Sequence, residues 1–123
     1  MAQWSPTWAF DDATFERSAS AFDNPDFIEV VIHSYRHRYG LVAGDPAYAE
    51  TEAALAAQPP IAVPSITIDG DADGVNPGTA HHAKRFIGPH EHRAFKGAGH
   101  NLPQERPRDW ARAVIDARAM ALS

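Results

Sequence analysis

Ser65-Ile66-Thr67-Ile68-Asp69-Gly70-Asp71-Ala72-Asp73-Gly74-Val75-Asn76-Pro77 changes character halfway along, and the chain is organised around that change. Ser65 to Asp69 is a short β-branched run, which predicts a strand stopped at Gly70. Asp71 to Gly78 is rich in Asp, Gly, Asn and Pro, which predicts a loop. Thr79 then caps a helix expected to reach about Ile87, where Gly88-Pro89 breaks it. His92-Arg93-Ala94-Phe95-Lys96 reads as a second short strand, and the loop Gly97 to Pro103 follows. A last helix is expected from near Pro107, with Trp110, Val114, Ala117 and Ala121 on one face. A strand–helix–strand unit makes a parallel pair with a right-handed crossover.

Upstream of this stretch the signals are helical. Asp11 or Asp12 caps a helix with Phe15, Ala19 and Phe22 along one face. Asn24-Pro25-Asp26 opens a second helix, with Phe27, Val31 and Tyr35 on one side and Ile28, Ile32 and Tyr39 widening the stripe. Arg36, His37 and Arg38 suit its C-terminal dipole, and Gly40 ends it. Asp45-Pro46 opens a third helix running through Tyr48 to Ala57, stopped by Pro59-Pro60. The expected organisation is a helical segment over residues 1–58 and an α/β segment over residues 59–123. A parallel pair needs further strands beside it and cover on both faces, so the pattern implies sheet beyond these residues.

Composition narrows the function classes. With 123 residues and 44% apolar side chains, the chain suits one small globular domain. A net charge of −5, with Glu105, Asp109 and Asp116 interleaved among Arg106, Arg108, Arg112 and Arg118, argues against nucleic acid as a partner. The absence of cysteine removes disulfides, thiolate metal sites and a Cys nucleophile. No apolar run approaches a membrane span and no signal peptide is visible, so the expectation is a soluble, cytoplasmic chain without a membrane partner.

Two loops carry candidate chemistry, each directly after a predicted strand, where parallel α/β folds place functional groups. Asp69 to Pro77 is similar to the strand–Gly-x-x-Asp-x-Val-x-Pro segment of α/β-hydrolases, with Gly70 and Asp73 on the glycine and the acid. Gly97-Ala98-Gly99-His100-Asn101-Leu102-Pro103-Gln104-Glu105 resembles that family's Gly-x-Gly-His-x-x-x-x-Glu-x-Pro segment, with His100 on the histidine and Glu105 and Pro107 on the trailing positions. The resemblance covers residues 61–121 well and residues 1–58 loosely, as the end of a helical cap. It implies the C-terminal part of an α/β-hydrolase fold, with Asp73 and His100 as catalytic acid and base. A general base needs a pKa near the working pH, which His supplies, and a carboxylate on its far nitrogen fixes one tautomer. Hydrogen-bond reach between Asp73 and His100 is therefore the geometry to expect.

The family's nucleophile sits in a Gly-x-Nuc-x-Gly turn upstream of the acid. Ser5, Ser18, Ser20, Ser34, Ser65 and Ser123 all lack such glycines. The expectation is a truncated hydrolase of small molecules, cleaving ester, epoxide or carbon–halogen bonds in its complete form. This chain would supply base and acid without a nucleophile and be inactive alone. No cofactor is implied. In caps of this family aromatic residues line the substrate pocket, which makes Trp4, Trp8 and Tyr35 substrate-binding candidates; core packing is the competing reading. A second class is a non-catalytic protein whose open sheet edge self-associates or pairs with a complementary N-terminal chain. A third is a metal module. Asp69, Asp71 and Asp73 fit the start of a calcium loop, but Ala80 holds the position that needs Glu. His33 and His37 are spaced as a metal pair, but Ser34 stands where zincins carry Glu. His81, His82, His90 and His92 have no zinc-site spacing. No metal is expected.

Overall fold

A computed structural model describes residues 3–122. They separate into two compact units, residues 9–58 and residues 3–8 with 59–122. No helix among the described residues is long and apolar enough to cross a membrane.

Residues 9–58 form α1 (Asp12–Ala19), α2 (Phe27–Arg38) and α3 (Ala49–Ala56). Asp11 is the cap of α1, its carboxylate accepting the Thr14 N–H at 2.8 Å and the Thr14 hydroxyl at 2.6 Å. The helix expected to carry Phe15, Ala19 and Phe22 on one face stops at Ala19, short of Phe22; Phe22 still meets Phe15 and, edge-on, Phe27, tying the 3-10 turn Ser20–Asp23 to α1 and α2. The second helix starts later than its opening signal, at Phe27. Asn24 spends its side chain on the Asp26 N–H, a local turn that precedes the helix. The third helix is split. Asp45 caps the Ala47 N–H, Pro46–Tyr48 is a 3-10 turn, and the α-helix begins at Ala49.

The other unit holds β1 (Ser65–Gly70) and β2 (His90–Phe95), paired in parallel from Ser65↔His90 to Gly70↔Phe95. The fold class is thus α/β with a two-stranded parallel sheet. Leu102–Glu105 forms the short α4 and Pro107–Met120 forms α5. Three expectations need correction. The helix expected from Thr79 to Ile87 is a 3-10 segment, Ala80–Arg85. Phe86 is drawn into an isolated parallel bridge with Ile61, and the Ile87 N–H goes to the Ile61 carbonyl, so the backbone is extended where a further helical turn would lie. β2 begins at His90, two residues early, because its pairing starts where β1 starts. On α5, Ala113 is buried whereas Val114 is 59% exposed. Asp116 holds Arg93 of β2 at 2.9 Å, which turns the face carrying Ala113 and Asp116 toward the sheet.

The division of the chain also differs at its start. Residues 3–8 join residues 59–122 instead of the helical segment. Long-range hydrogen bonds explain this: the Trp4 carbonyl accepts the N–H groups of Gly74 and His100, and the Thr7 hydroxyl donates to the Gly97 carbonyl. The buried apolar residues, Ala98, Leu102 and Ala113, also lie in this unit, together with buried Ser5. Its small core therefore sits under the loop that follows β2.

Candidate active site

The two loops meet because their backbones nearly touch. The Ala72 N–H donates to the Ala98 carbonyl at 2.9 Å. A side chain at Gly70 would run into the Ala98 and Gly99 carbonyl oxygens, and one at Gly99 would lie 2.5 Å from the Ser5 Cα. Only glycine permits both approaches.

The three acids of the first loop have separate partners. Asp69 accepts the Thr79 N–H at 2.7 Å and the Thr79 hydroxyl at 2.8 Å, closing the base of the loop. Asp71 accepts the Gly97 N–H at 2.6 Å, joining the first loop to the second. Both reach well beyond their own turn, across 10 and 26 residues. Asp73 accepts the Val75 and Asn76 N–H groups on Oδ1 and faces His100 Nδ1 with Oδ2 at 2.8 Å. Its side chain is 9% exposed and that of His100 is 40% exposed. Among the described residues no three His, Asp or Glu side chains converge as a metal site would require.

Burial opposes ionisation of Asp73. The N–H bonds from Val75 and Asn76, the bond from His100 and the His100 charge outweigh it, holding the carboxyl below its ordinary range. An ionised carboxylate only accepts, so His100 Nδ1 carries the hydrogen and the neutral ring keeps its lone pair on Nε2. That is the tautomer a general base needs, oriented by its partner.

The His100 backbone is held from three sides. Its N–H is shared by the Trp4 carbonyl at 3.0 Å and the Ser5 hydroxyl at 3.1 Å. Glu105 accepts the N–H groups of Gly99 and Asn101, one on each carboxylate oxygen, bracketing His100. Ser5 also receives the Asn101 N–H and side-chain amide at 3.3 and 2.8 Å. Sequence reasoning missed Ser5. No local pattern marks a serine that acts 95 residues away.

Of the aromatic candidates, Trp4 reaches the site, its ring meeting the His100 ring edge-on with centroids 5.1 Å apart. Trp8 is half-buried in the same unit, its N–H donating to the Ser5 carbonyl. Tyr35 lies on α2 in the other unit, half-exposed, lining an open depression with Ser34 and Arg38.

No known family profile matches the chain, and no curated protein matches it. A solved structure does: that of a "putative epoxide hydrolase" from Klebsiella pneumoniae subsp. pneumoniae MGH 78578, with a TM-score of 0.89 and 47% sequence identity. The match covers 94% of this chain and 39% of that protein, so the chain spans well under half of its neighbour's length.

Proposed function

We propose that the chain is the acid-and-base portion of an α/β-hydrolase acting on small molecules. His100 is the general base that activates water or relays a proton, and Asp73 orients it and stabilises its imidazolium. The observation that carries this reading is the 2.8 Å contact between Asp73 Oδ2 and His100 Nδ1, each on a loop following a parallel strand. A complete site of this kind also needs a nucleophile, which attacks the substrate to form a covalent intermediate that the activated water then hydrolyses. Neither a serine nor an aspartate of this sequence stands at the centre of a Gly-x-Nuc-x-Gly turn, so on this reading the chain by itself is inactive. Similarity to a putative epoxide hydrolase favours epoxides over esters and alkyl halides. Trp4, against the His100 ring, is then a wall of the substrate pocket, and Trp8, whose backbone N–H bonds the Ser5 carbonyl, is a second candidate for that wall.

The test is a chimera. This chain replaces the matching portion of the Klebsiella protein, and epoxide, ester and haloalkane hydrolysis are assayed beside the parent. The expected result is epoxide hydrolysis by the chimera that His100→Gln abolishes and Asp73→Asn lowers by orders of magnitude. A folded chimera that is inactive while its parent works, or one indifferent to His100→Gln, refutes the proposal.

A second reading, association through the open sheet with itself or with a complementary N-terminal chain, is favoured by exposed apolar side chains. Val63, Ile87, Val114, Ile115 and Leu122 are 59–78% exposed within the β1–β2 unit. A concentration-independent monomer by sedimentation, unchanged by adding the Klebsiella N-terminal portion, removes it.

A further inference from the structure

We infer that Asp69 is a positioning residue for Asp73, clamped to Thr79 and approached from the sheet side by His92, whose ring is oriented by a hydrogen-bond chain from His90 through Thr67. This rests on the reading of Asp73 and His100 as the working pair. The β1–β2 register sets Thr67 opposite His92, with His90 two residues away on the same sheet face. Thr67 Oγ1 is 3.0 Å from His90 Nε2 and 3.0 Å from His92 Nδ1. A hydroxyl has one hydrogen, so it donates to one ring and accepts from the other.

The far end of the chain decides which. His92 Nε2 lies 3.4 Å from Asp69 Oδ2, a looser contact than a standard hydrogen bond. A carboxylate at that distance still favours the tautomer with hydrogen on Nε2, since a bare nitrogen would face it lone pair to lone pair. His92 Nδ1 is then bare and accepts the Thr67 O–H. Thr67 Oγ1 in turn accepts from His90 Nε2–H. The His90 ring cannot easily turn away, because Phe86 stacks flat on it at 3.9 Å and 4°.

Asp69 converts this into control of the loop. Its two oxygens bind Thr79, so one carboxylate clamps residue 69 to residue 79. Asp73 hangs between those two points. Its reach to His100 therefore depends on a clamp oriented by His92 from the sheet side.

The test is imidazole nitrogen NMR on the full, ¹⁵N-labelled chain, at a pH where the rings are neutral. The wild type is expected to show separated ring-nitrogen signals of the Nε2–H form for His90 and His92, and of the Nδ1–H form for His100. Thr67→Val should collapse the first two toward averaged positions, and Thr67→Ser should restore them. Asp69→Ala should move His100 off its Nδ1–H pattern, and Asp69→Asn, which keeps an acceptor for Thr79, should restore it. Unchanged His90 and His92 signals in Thr67→Val overturn the chain, as does averaging of both rings in the wild type. An unchanged His100 pattern in Asp69→Ala overturns the positioning role. If Asp69→Ala does not fold, Thr79→Val, which removes one of the two clamping bonds, takes its place with the same expected shift at His100. The spectra need no substrate, so an inactive chimera would refute the hydrolase reading and leave these results standing.

Discussion

Ser5→Ala is the most informative single change, because its cost can be worked out donor by donor. Ser5 is 3% exposed and its hydroxyl oxygen receives three donors: the His100 N–H, the Asn101 N–H and the Asn101 side-chain amide. Were each left with no other acceptor, the loss would approach three buried unsatisfied groups, at about 1–3 kcal/mol each. The two backbone donors keep alternatives, however. His100 retains the Trp4 carbonyl at 3.0 Å, and Asn101 retains Glu105 Oε1 at 3.0 Å. The net effect is therefore near that of one hydrogen bond plus a very small void, about 1–2 kcal/mol. Urea unfolding of the full chain should show a midpoint lower by roughly 0.5–1 M. A loss above about 3 kcal/mol would mean that Trp4 and Glu105 do not act as second acceptors. A loss below about 0.3 kcal/mol would mean that Ser5 does not hold the His100 loop.

Gly99→Ala places a Cβ 2.5 Å from the Ser5 Cα and 2.8 Å from its Cβ. It should cost at least the ~1–3 kcal/mol typical of overpacking and cost more than Ser5→Ala, as compared by urea midpoints. Arg93→Ala removes the bond to Asp116 on α5, as well as the pair with Glu91. It should lower the thermal midpoint by an amount that shrinks at high salt, because these groups are exposed enough to be screened. Stability should also depend on Asp73 in acid. Its folded-state pKa lies below the ordinary value of 3.8, so its contribution is present above that value and is lost as pH falls through the depressed one. Urea midpoints measured from about pH 5 to pH 2 should fall less steeply in Asp73→Asn than in the wild type, leaving the slope due to other carboxylates such as Asp11 and Glu91, whose pKa values are also lowered.

The parts of this structure legible in the sequence are those encoded locally. The β-branched run at 65–69, the Asp-Pro turn at 45–46 and the Asp11 cap each act on neighbours a few residues away, and each appears close to its expected place. The parts that escaped depend on distant backbone. The stretch after Thr79 has helical character, but the Ile61–Phe86 bridge outweighs one further turn of helix. Trp110, Val114 and Ala121 follow helical periodicity, but the face turned inward is the one that carries buried Ala113 and Asp116, the latter paired with Arg93 of β2. At the site, the two loops were visible as paired motifs. The residues that fasten them, Ser5 and the Trp4 carbonyl, lie some 70 to 96 positions away, and a carbonyl carries no side-chain signature at all.

The spacing of Asp69, Asp71 and Asp73 bears on how the Asp73–His100 contact is preassembled. Three carboxylates within five residues would repel one another and push at least one toward the neutral form. Here each has its own set of donors: Thr79 for Asp69, the Gly97 N–H for Asp71, and Val75, Asn76 and His100 for Asp73. The donors to Asp71 and Asp73 include backbone N–H groups, which carry no titratable charge and stay in place across the working pH range. Asp73 is thus held toward its ionised form by the backbone N–H groups of Val75 and Asn76 as well as by His100. A neutral imidazole beside a fixed carboxylate must keep its hydrogen on Nδ1, and Nε2 is then a base without further rearrangement. In the proposed hydrolase, a reacting complex would add an electrophile and a nucleophile within reach of that nitrogen. The proton acceptor and its orientation are already built into the two loops.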